Sequence, residues 1–597
     1  MSTETPASIA TYNRLELRQI PGLNIDDRLR QIPGFSLFRR SSSVVANPTT
    51  QGVSLRGTGS SGASRSLVLW DGIPTNDPFG GWVYWTRFVP EQIDRVEVSR
   101  GASTSIFGDR AMGGAIALFS REAEPATARI SYEGGNENTH ELTGAVSHVW
   151  RKLAGSVNMR AFSTDGYFIV PASVRGPVDT PAAVQFVAGN ARFDVLGSTQ
   201  RLFVKLDILA EDRANGTVLT RNSTSLGTLS ANYSWQRGSE GISVLAYHTR
   251  EEYRATFSSV GANRTTERLT YSQVVPSDAT GAAAYWNHNA SLFTILAGAD
   301  TEYVEGFSTD RLVPTGTRVG GGDRLQHGVF AQFNAGKPGA RVFFGARHTV
   351  TGGPQNFFSP SAGFALGRGR WRFRGSGYRS FRNPTLNELY REFRVGNTVT
   401  LPNGALQSES LTGGEIGADF AGESTRLSLT GFYNYIDRII TNVTLSTGAT
   451  ITRQRQNAAA ALAKGFEATV RRSFGPDWRA EASYLFVNSQ FETGPRVPQV
   501  PRHQGSAQLT YYKNRTLVAA GVRSYAYQFE DDINLFVLGG YAAVQLSARQ
   551  QLGHGVSATA AIENLLDRQY TVGYSPTPLI GAPRLWRLGL RWEGRLW

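Results

Sequence analysis

From about Ala128 to its end the chain alternates apolar and polar or small residues in segments of ~8 to 12, divided by short turns or longer polar loops. Residues 426–435 show the pattern. Leu427, Leu429, Gly431, Tyr433 and Tyr435 share one side, and Arg426, Ser428, Thr430, Phe432 and Asn434 the other. One face suits lipid and the other a wet lumen. Similar alternation runs through 142–148, 341–347, 371–378 and 584–592, and no helical stripe of comparable strength interrupts it. About 470 residues at ~10 per strand, with turns and loops, make roughly 20 to 24 strands, and a closed antiparallel barrel expects an even number.

Composition separates the classes this pattern leaves open. A hydrophobic content of 40% with mean hydropathy −0.27 provides no apolar run long enough for a membrane helix, so a helical membrane protein is excluded. A transmembrane β-barrel is not excluded, because lipid-facing and lumen-facing residues average out along each strand. The 65 glycines, 32 phenylalanines, 22 tyrosines and 11 tryptophans suit aromatic girdles and tight bends, although a soluble β-protein stays open on composition alone. Cysteine is absent, which removes disulfides and thiolate metal sites. The net charge of +13 is carried almost wholly by arginine. It fits either contact with phosphate or carboxylate groups, as on lipopolysaccharide or an anionic ligand, or simple codon bias. The arginines form no single patch, which argues against a nucleic-acid partner.

Up to about Arg121 the texture differs, with short strands, loops rich in Ser, Gly and Asn, and a helix expected over 25–31. Ile25, Leu29 and Ile32 make its apolar side, Asn24 is the N-cap and Pro33-Gly34 the stop. The segment RVEVSRGASTSIFGDRAMGGAIALFS, 95–120, packs two strands and a loop around Gly101, Gly108, Gly113 and Gly114. Such a segment suits a confined space.

Four motifs in this region, DDRLRQIPG at 26–34, VSLRG at 53–57, LVLWDGIPTNDP at 67–78 and the 95–120 segment, together resemble the plug domain of TonB-dependent outer-membrane receptors. FRNPTLNELY at 381–390, NGALQSESLTGGEIG at 403–417, NAAAALAKGFEATV at 457–470, VPRHQ at 500–504 and IENLLDRQY at 562–570 resemble the second half of the same family. The match is poorest from about 151 to 370. The resemblance implies an all-β transmembrane protein: a 22-stranded antiparallel β-barrel from 125 to 597 with a small α+β plug, residues 1–124, inside the lumen. It also implies that two plug arginines and two barrel glutamates hold the plug, and by motif these are Arg56, Arg100, Glu415 and Glu467. A carboxylate facing an arginine fork in a poorly hydrated lumen gains bidentate, charge-assisted bonds, so the four are expected to form a latch.

The loop TNDPFGGWVYW at 75–85 offers Phe79, Trp82, Tyr84 and Trp85 as a ligand-binding surface if it faces outward, and as wall packing if it does not. Phe381-Arg382-Asn383-Pro384 is similar to a box of haem receptors, but no histidine lies between Pro384 and Leu406, which demotes haem. The histidines show no metal spacing, Asp165 and Asp531-Asp532 lack the alternating ligands of a calcium loop, and no nucleophile elbow, HExxH or phosphate loop is present. No catalytic residue, metal site or resident cofactor is therefore expected, and the protein is not expected to be an enzyme.

The resemblance implies a bacterial outer-membrane location and energy-coupled uptake of a scarce small molecule. TonB, through its periplasmic C-terminal domain and the inner-membrane complex behind it, would pull on the plug, while lipopolysaccharide and outer-membrane lipid surround the barrel. A ferric siderophore is the expected cargo, ahead of cobalamin, other metal chelates and glycans. A passive porin and a soluble β-propeller or sandwich are the rival classes, disfavoured by the plug motifs and by the lack of blade repeats. The residues MSTETPASIATYNRLELRQ lack the basic start and apolar core of a signal peptide, and no TonB box is recognisable before Ile9. In the last strand Trp586, Leu588, Leu590 and Trp592 are in phase, Gly594 stands where a terminal aromatic is expected, and Trp597 is out of phase.

Overall fold

A computed structural model describes residues 6–32, 34–59, 62–101, 104–352, 355–574 and 577–595. Pro33, Ala102, Ser103 and Trp597, which figure in the expectations above, lie outside these residues. Twenty-two strands, each antiparallel to its neighbours, close into one barrel. The last strand, Leu585–Arg595, returns to the first, Thr127–Gly135, with pairs from Arg587 opposite Gly135 to Arg595 opposite Thr127. The strand count falls within the range the alternation predicts and equals the number the family resemblance implies.

Strand lengths run from 8 residues in Val556–Glu563 to 23 in Glu267–Asn289. The longer ones exceed the ~9–11 residues that cross a bilayer, so the wall continues beyond the membrane. Tight turns such as 151–152 and 514–515 join strands at one end, and segments 383–408, 438–460, 526–540 and 564–584 join them at the other. In barrels of this kind the short turns face the periplasm and the long loops the exterior. Period-two alternation sets which side chains line the lumen. On Thr425–Asp437, Leu429 is 52% exposed on the outer face whereas Thr430 and Asn434 are buried inward. Trp586, Leu588 and Leu590 repeat the outward phase on the closing strand.

The plug fills the lumen around a five-stranded sheet in the order Ser8–Asn13, Ile93–Arg100, Gly114–Ser120, Leu67–Trp70, Ile73–Pro74. Val68, Val96, Val98, Ile116 and Leu118 are fully buried between this sheet and the flanking helices. The Gly-Gly pair answers a close approach: a methyl group on Gly114, whose φ is +127°, would lie 2.2 Å from the carbonyl oxygen of Ser99 on the neighbouring strand. The expected helix starts at Ile25 but ends at Leu29, two residues short of Gln31. The Gln31 amide donates to the carbonyl of Arg28 and that of Ile32 to Leu29, so the last turn tightens to i→i+3 bonds. Asn24 holds the extended N-cap backbone but turns its side chain away, donating Nδ2 to Ser43 Oγ at 2.7 Å. Two further short helices, Arg14–Gln19 and Leu386–Tyr390, begin at capping boxes formed by Asn13 with Glu16 and by Thr385 with Glu388.

Leu429→Arg places a charge on the lipid face of its strand and should cost up to about 2–4 kcal/mol of folding free energy. Ser428→Arg, one residue away on the lumen side, should cost under ~1 kcal/mol. Denaturant titration of the barrel refolded in phospholipid vesicles, read by heat-modifiable gel migration, checks the difference.

Candidate functional site

Four buried charged groups meet where the plug touches the strands Glu409–Ala421 and Ala461–Phe474. Arg56 follows the short strand Val53–Ser54 in a left-handed turn with φ of +50°, which aims its side chain out of the plug. Arg100 ends the strand Ile93–Arg100. Glu415 and Glu467 stand on the lumen face of strands that both flank Thr425–Asp437. Arg56 donates Nη1 to Glu415 Oε2, Nη2 to Glu467 Oε1 at 2.7 Å and Nε to Glu467 Oε2 at 3.4 Å. Arg100 Nη1 reaches Glu467 Oε2 at 2.9 Å. A fifth member was not expected: Arg374, on Trp371–Arg382, donates to Glu415 Oε1 at 3.3 Å and to Thr430 Oγ1 at 2.6 Å.

Exposure of these side chains is at most 6%, so each charge depends on its partners rather than on water. Burial alone would depress the Arg56 guanidinium, but the two glutamates outweigh it and hold its pKa above the ordinary arginine range. For Arg100 burial wins over Glu467, and its pKa falls. Phe432 closes one side with its ring centroid 5.0 Å from the Arg56 guanidinium. Gly101, at φ of +80°, lets the chain leave Arg100, since a methyl group there would stand 3.1 Å from Glu415 Oε2.

A second chain of buried charges lies toward the long loops. Arg65 of the plug forks onto Glu409, with Nε 3.1 Å from Oε2 and Nη2 2.5 Å from Oε1. Arg382 Nε also donates to Glu409 Oε2, at 2.5 Å, and its two terminal nitrogens reach Glu388 of the loop helix at 2.9 and 3.1 Å. Beside it the Asn383 amide donates to Asp109 Oδ1 of the plug at 2.9 Å, and the Asn387 amide to the carbonyl of Phe79 at 2.8 Å. These contacts give the FRNPTLNELY motif a role that sequence reasoning missed: it seats an outer loop on the plug. The motif itself is the available signal.

The aromatic loop 75–85 takes the second of the two arrangements its composition allows, packing into plug and wall. Phe79, Trp82, Tyr84 and Trp85 do not present rings to an outer vestibule, because all four are buried. Trp85 packs in the plug core against Phe35, with ring centroids 6.0 Å apart, and against Phe88. Trp82 packs toward Phe162 and Phe186 of the wall, and Phe79 toward Leu245, Tyr247 and Leu386. Tyr84 donates its hydroxyl to Glu251 at 2.5 Å, and burial pushes that hydroxyl's pKa well up. Large rings facing a tight wall gain more from burial than from standing in water. The plug segment that does reach an outer cavity is 39–50. This cavity, of about 130 Å³, is lined by Arg39, Asn47 and Thr50 from the plug and by Ile169, Arg264 and Arg394 from barrel loops. Arg264 is held by Asp179, Nη2 to Oδ1 at 2.5 Å, and Arg39 by Glu530 at 3.3 Å. Among the described residues no three His, Cys, Asp or Glu side chains converge on one point.

Residues 2–115 match the sequence profile of the TonB-dependent receptor plug domain, and residues 160–565 that of the TonB-dependent receptor-like β-barrel. The chain is 22% identical to the iron-regulated outer membrane virulence protein of Vibrio cholerae over 98% of its own length and 92% of that protein. It is also 28% identical to the vitamin B12 transporter of Vibrio vulnificus over 26% of its length and 23% of the transporter. Among solved structures it is similar to the siderophore receptor PirA of Acinetobacter baumannii, with TM-score 0.79, 16% identity and 98% of both chains covered. It is likewise similar to the copper transporter OprC, with TM-score 0.84, 14% identity, and 99% and 100% covered. At these identities the structural likenesses speak for the fold alone.

Glu467→Gln removes the charge that Arg56 and Arg100 share. Amide exchange over 93–100 should speed up at least tenfold, about 1.4 kcal/mol of local opening, and cells should admit more of a bulky antibiotic. Unchanged exchange and unchanged leakage would show that the four charges do not hold the plug.

Proposed function

The chain belongs to the TonB-dependent outer-membrane receptors, and from that premise we propose that it takes up an anionic metal chelate, a ferric siderophore first, with residues 1–124 as the movable plug and 125–597 as the barrel. The observation that carries this reading is the outer cavity, where Arg39 of the plug meets Arg264 and Arg394 of the loops. Guanidinium groups suit carboxylate, catecholate or hydroxamate oxygens, which they contact in pairs. The cavity is smaller than the ~300–1,000 Å³ of sites that enclose a whole drug-sized ligand. A chelate would therefore engage by one arm first, with loops such as 383–408 and 564–584 closing over the rest.

Iron is favoured by the iron-regulated relative. A bare metal ion as cargo is disfavoured, since the described residues bring no three carboxylate or imidazole ligands together. Cobalamin, other chelates and glycans are the alternatives, of which cobalamin has the partial likeness to a vitamin B12 transporter behind it. A passive porin is disfavoured by a lumen filled with plug. In the proposed cycle the chelate binds outside, and TonB, through its periplasmic C-terminal domain, pulls the plug. The latch of Arg56, Arg100, Glu415 and Glu467 yields, and the cargo passes to the periplasm. Lipopolysaccharide and lipid would contact the outward belt.

Uptake of iron-55 ferric siderophores, with labelled cobalamin alongside, in cells whose only such receptor is this chain tests the reading. Iron should accumulate only when both this protein and TonB are present. Arg394→Glu should weaken binding of the ferric chelate at least tenfold, about 1.4 kcal/mol, as read by titration calorimetry. Accumulation of cobalamin instead of iron would replace the proposed cargo, and accumulation without TonB would favour the porin.

A further inference from the structure

The charged cluster is buried, yet on its inner side it borders an open space. The inner end of the lumen contains a cavity of about 700 Å³, and its wall includes Arg100 and Arg374 of the charged cluster. Between that cavity and the glutamates runs the plug strand Ser8–Asn13, which contributes Ile9, Ala10, Thr11 and Tyr12 to the same wall. Among the described residues this strand is terminal in the plug sheet and pairs only with Ile93–Arg100, Ser8 opposite Arg100 and Asn13 opposite Arg95. Its first residue touches both acids. The Ser8 amide donates to Glu415 Oε1 at 2.8 Å, and the Ser8 hydroxyl donates to Glu467 Oε1 at 3.0 Å.

We propose that the strand Ser8–Asn13 is the seal of the latch, and that drawing it off Ile93–Arg100 frees the plug by letting water from the inner cavity reach Glu415 and Glu467. The inference rests on the reading of the four charges as a latch and adds how that latch opens. Peeling the strand away removes two hydrogen bonds from the carboxylates directly. The larger effect is dielectric: ion pairs moved from a protein-like surrounding to water lose roughly three quarters of their attraction, and they become open to screening by salt. A latch of apolar contacts would respond in the opposite way, since wetting it is what resists opening.

The chain just beyond the strand limits how far the peeling runs. Tyr12 donates its hydroxyl to Glu481 at 2.9 Å beneath the Arg471 guanidinium, 4.6 Å from the ring centroid. Glu16 accepts from Arg479 at 2.6 Å. A pull from the amino-terminal side therefore meets a short strand whose loss unlocks the cluster, and then a second set of barrel contacts that resists further unravelling. Ser8 is a positioning residue in this scheme.

Salt dependence distinguishes a seal from a merely structural strand. Amide exchange over 53–57 is measured on the full chain in phospholipid bilayers at 0.05 M and 1 M NaCl, for which the screening lengths are about 14 Å and 3 Å. The wild-type protein should exchange slowly, with rates within twofold between the two salts. Ala10→Pro, which removes a ladder amide opposite Val98, should exchange at least tenfold faster at 1 M than at 0.05 M. Ser8→Ala, a milder change read in its place should the proline variant lose its heat-modifiable barrel, should show about a threefold ratio. A salt-independent rate in whichever variant is read, alongside a Glu467→Gln variant that does loosen the plug, overturns the seal and leaves the latch standing. Salt dependence already present in the wild type also overturns it, because the latch would then be wet with the strand in place. No change in any variant, Glu467→Gln included, removes the latch itself.

Discussion

Everything in this molecule follows from the ladder between its last strand and its first. Within a bilayer a backbone amide or carbonyl without a partner costs several kcal/mol, and an open sheet has two edges full of them. Pairing Leu585–Arg595 with Thr127–Gly135 abolishes both edges at once. Twenty-two strands that close in this way enclose a space too wide for their own side chains to fill. The plug fills that lumen.

Closure also sets the chemistry of the plug's surface. Alternation turns one residue in two inward, and because the outward ones take the lipid, the inward ones are largely polar. The interface between plug and wall therefore combines apolar clusters, such as Trp82 with Phe162 and Phe186, with polar and charged contacts. Arg56 with Glu415 and Glu467 at one level, and Arg65 with Glu409, Arg382 and Glu388 at another, are the densest of these contacts. Buried ion networks are strong against the loss of one partner and weak against water. That combination suits a part that has to stay shut and yet be opened by a directed pull.

The fold was legible because period-two alternation over hundreds of residues has few solutions, and the end turns and glycines agreed with it. The two arginines and two glutamates of the proposed latch stand in motifs, VSLRG, EVSRG, GGEIG and GFEAT, that could be located without coordinates. Arg374 was not legible, because WRFRGSGY presents it as one lumen-facing residue among many. The role of Phe381 to Tyr390 was hidden for another reason: Glu388 and Glu409 lie 21 residues apart, and only the return of the outer loop brings both onto Arg382. The placement of the aromatic loop at 75–85 was not legible, since its composition suits a ligand surface and a packed wall equally.

The sequence by itself determined the class of the molecule: a barrel by alternation, a plug by texture, and a set of charges that only a poorly hydrated lumen makes useful. These are properties of local pattern, which a chain carries wherever it goes. Tertiary structure alone decided which groups meet across the lumen. It put Ser8 against two glutamates more than 400 residues away, buried the tryptophans the sequence offered to a ligand, and brought residues 39–50 to the outer cavity. Such contacts depend on how the plug is turned inside the barrel, and no spacing along a single strand encodes a rotation between two bodies.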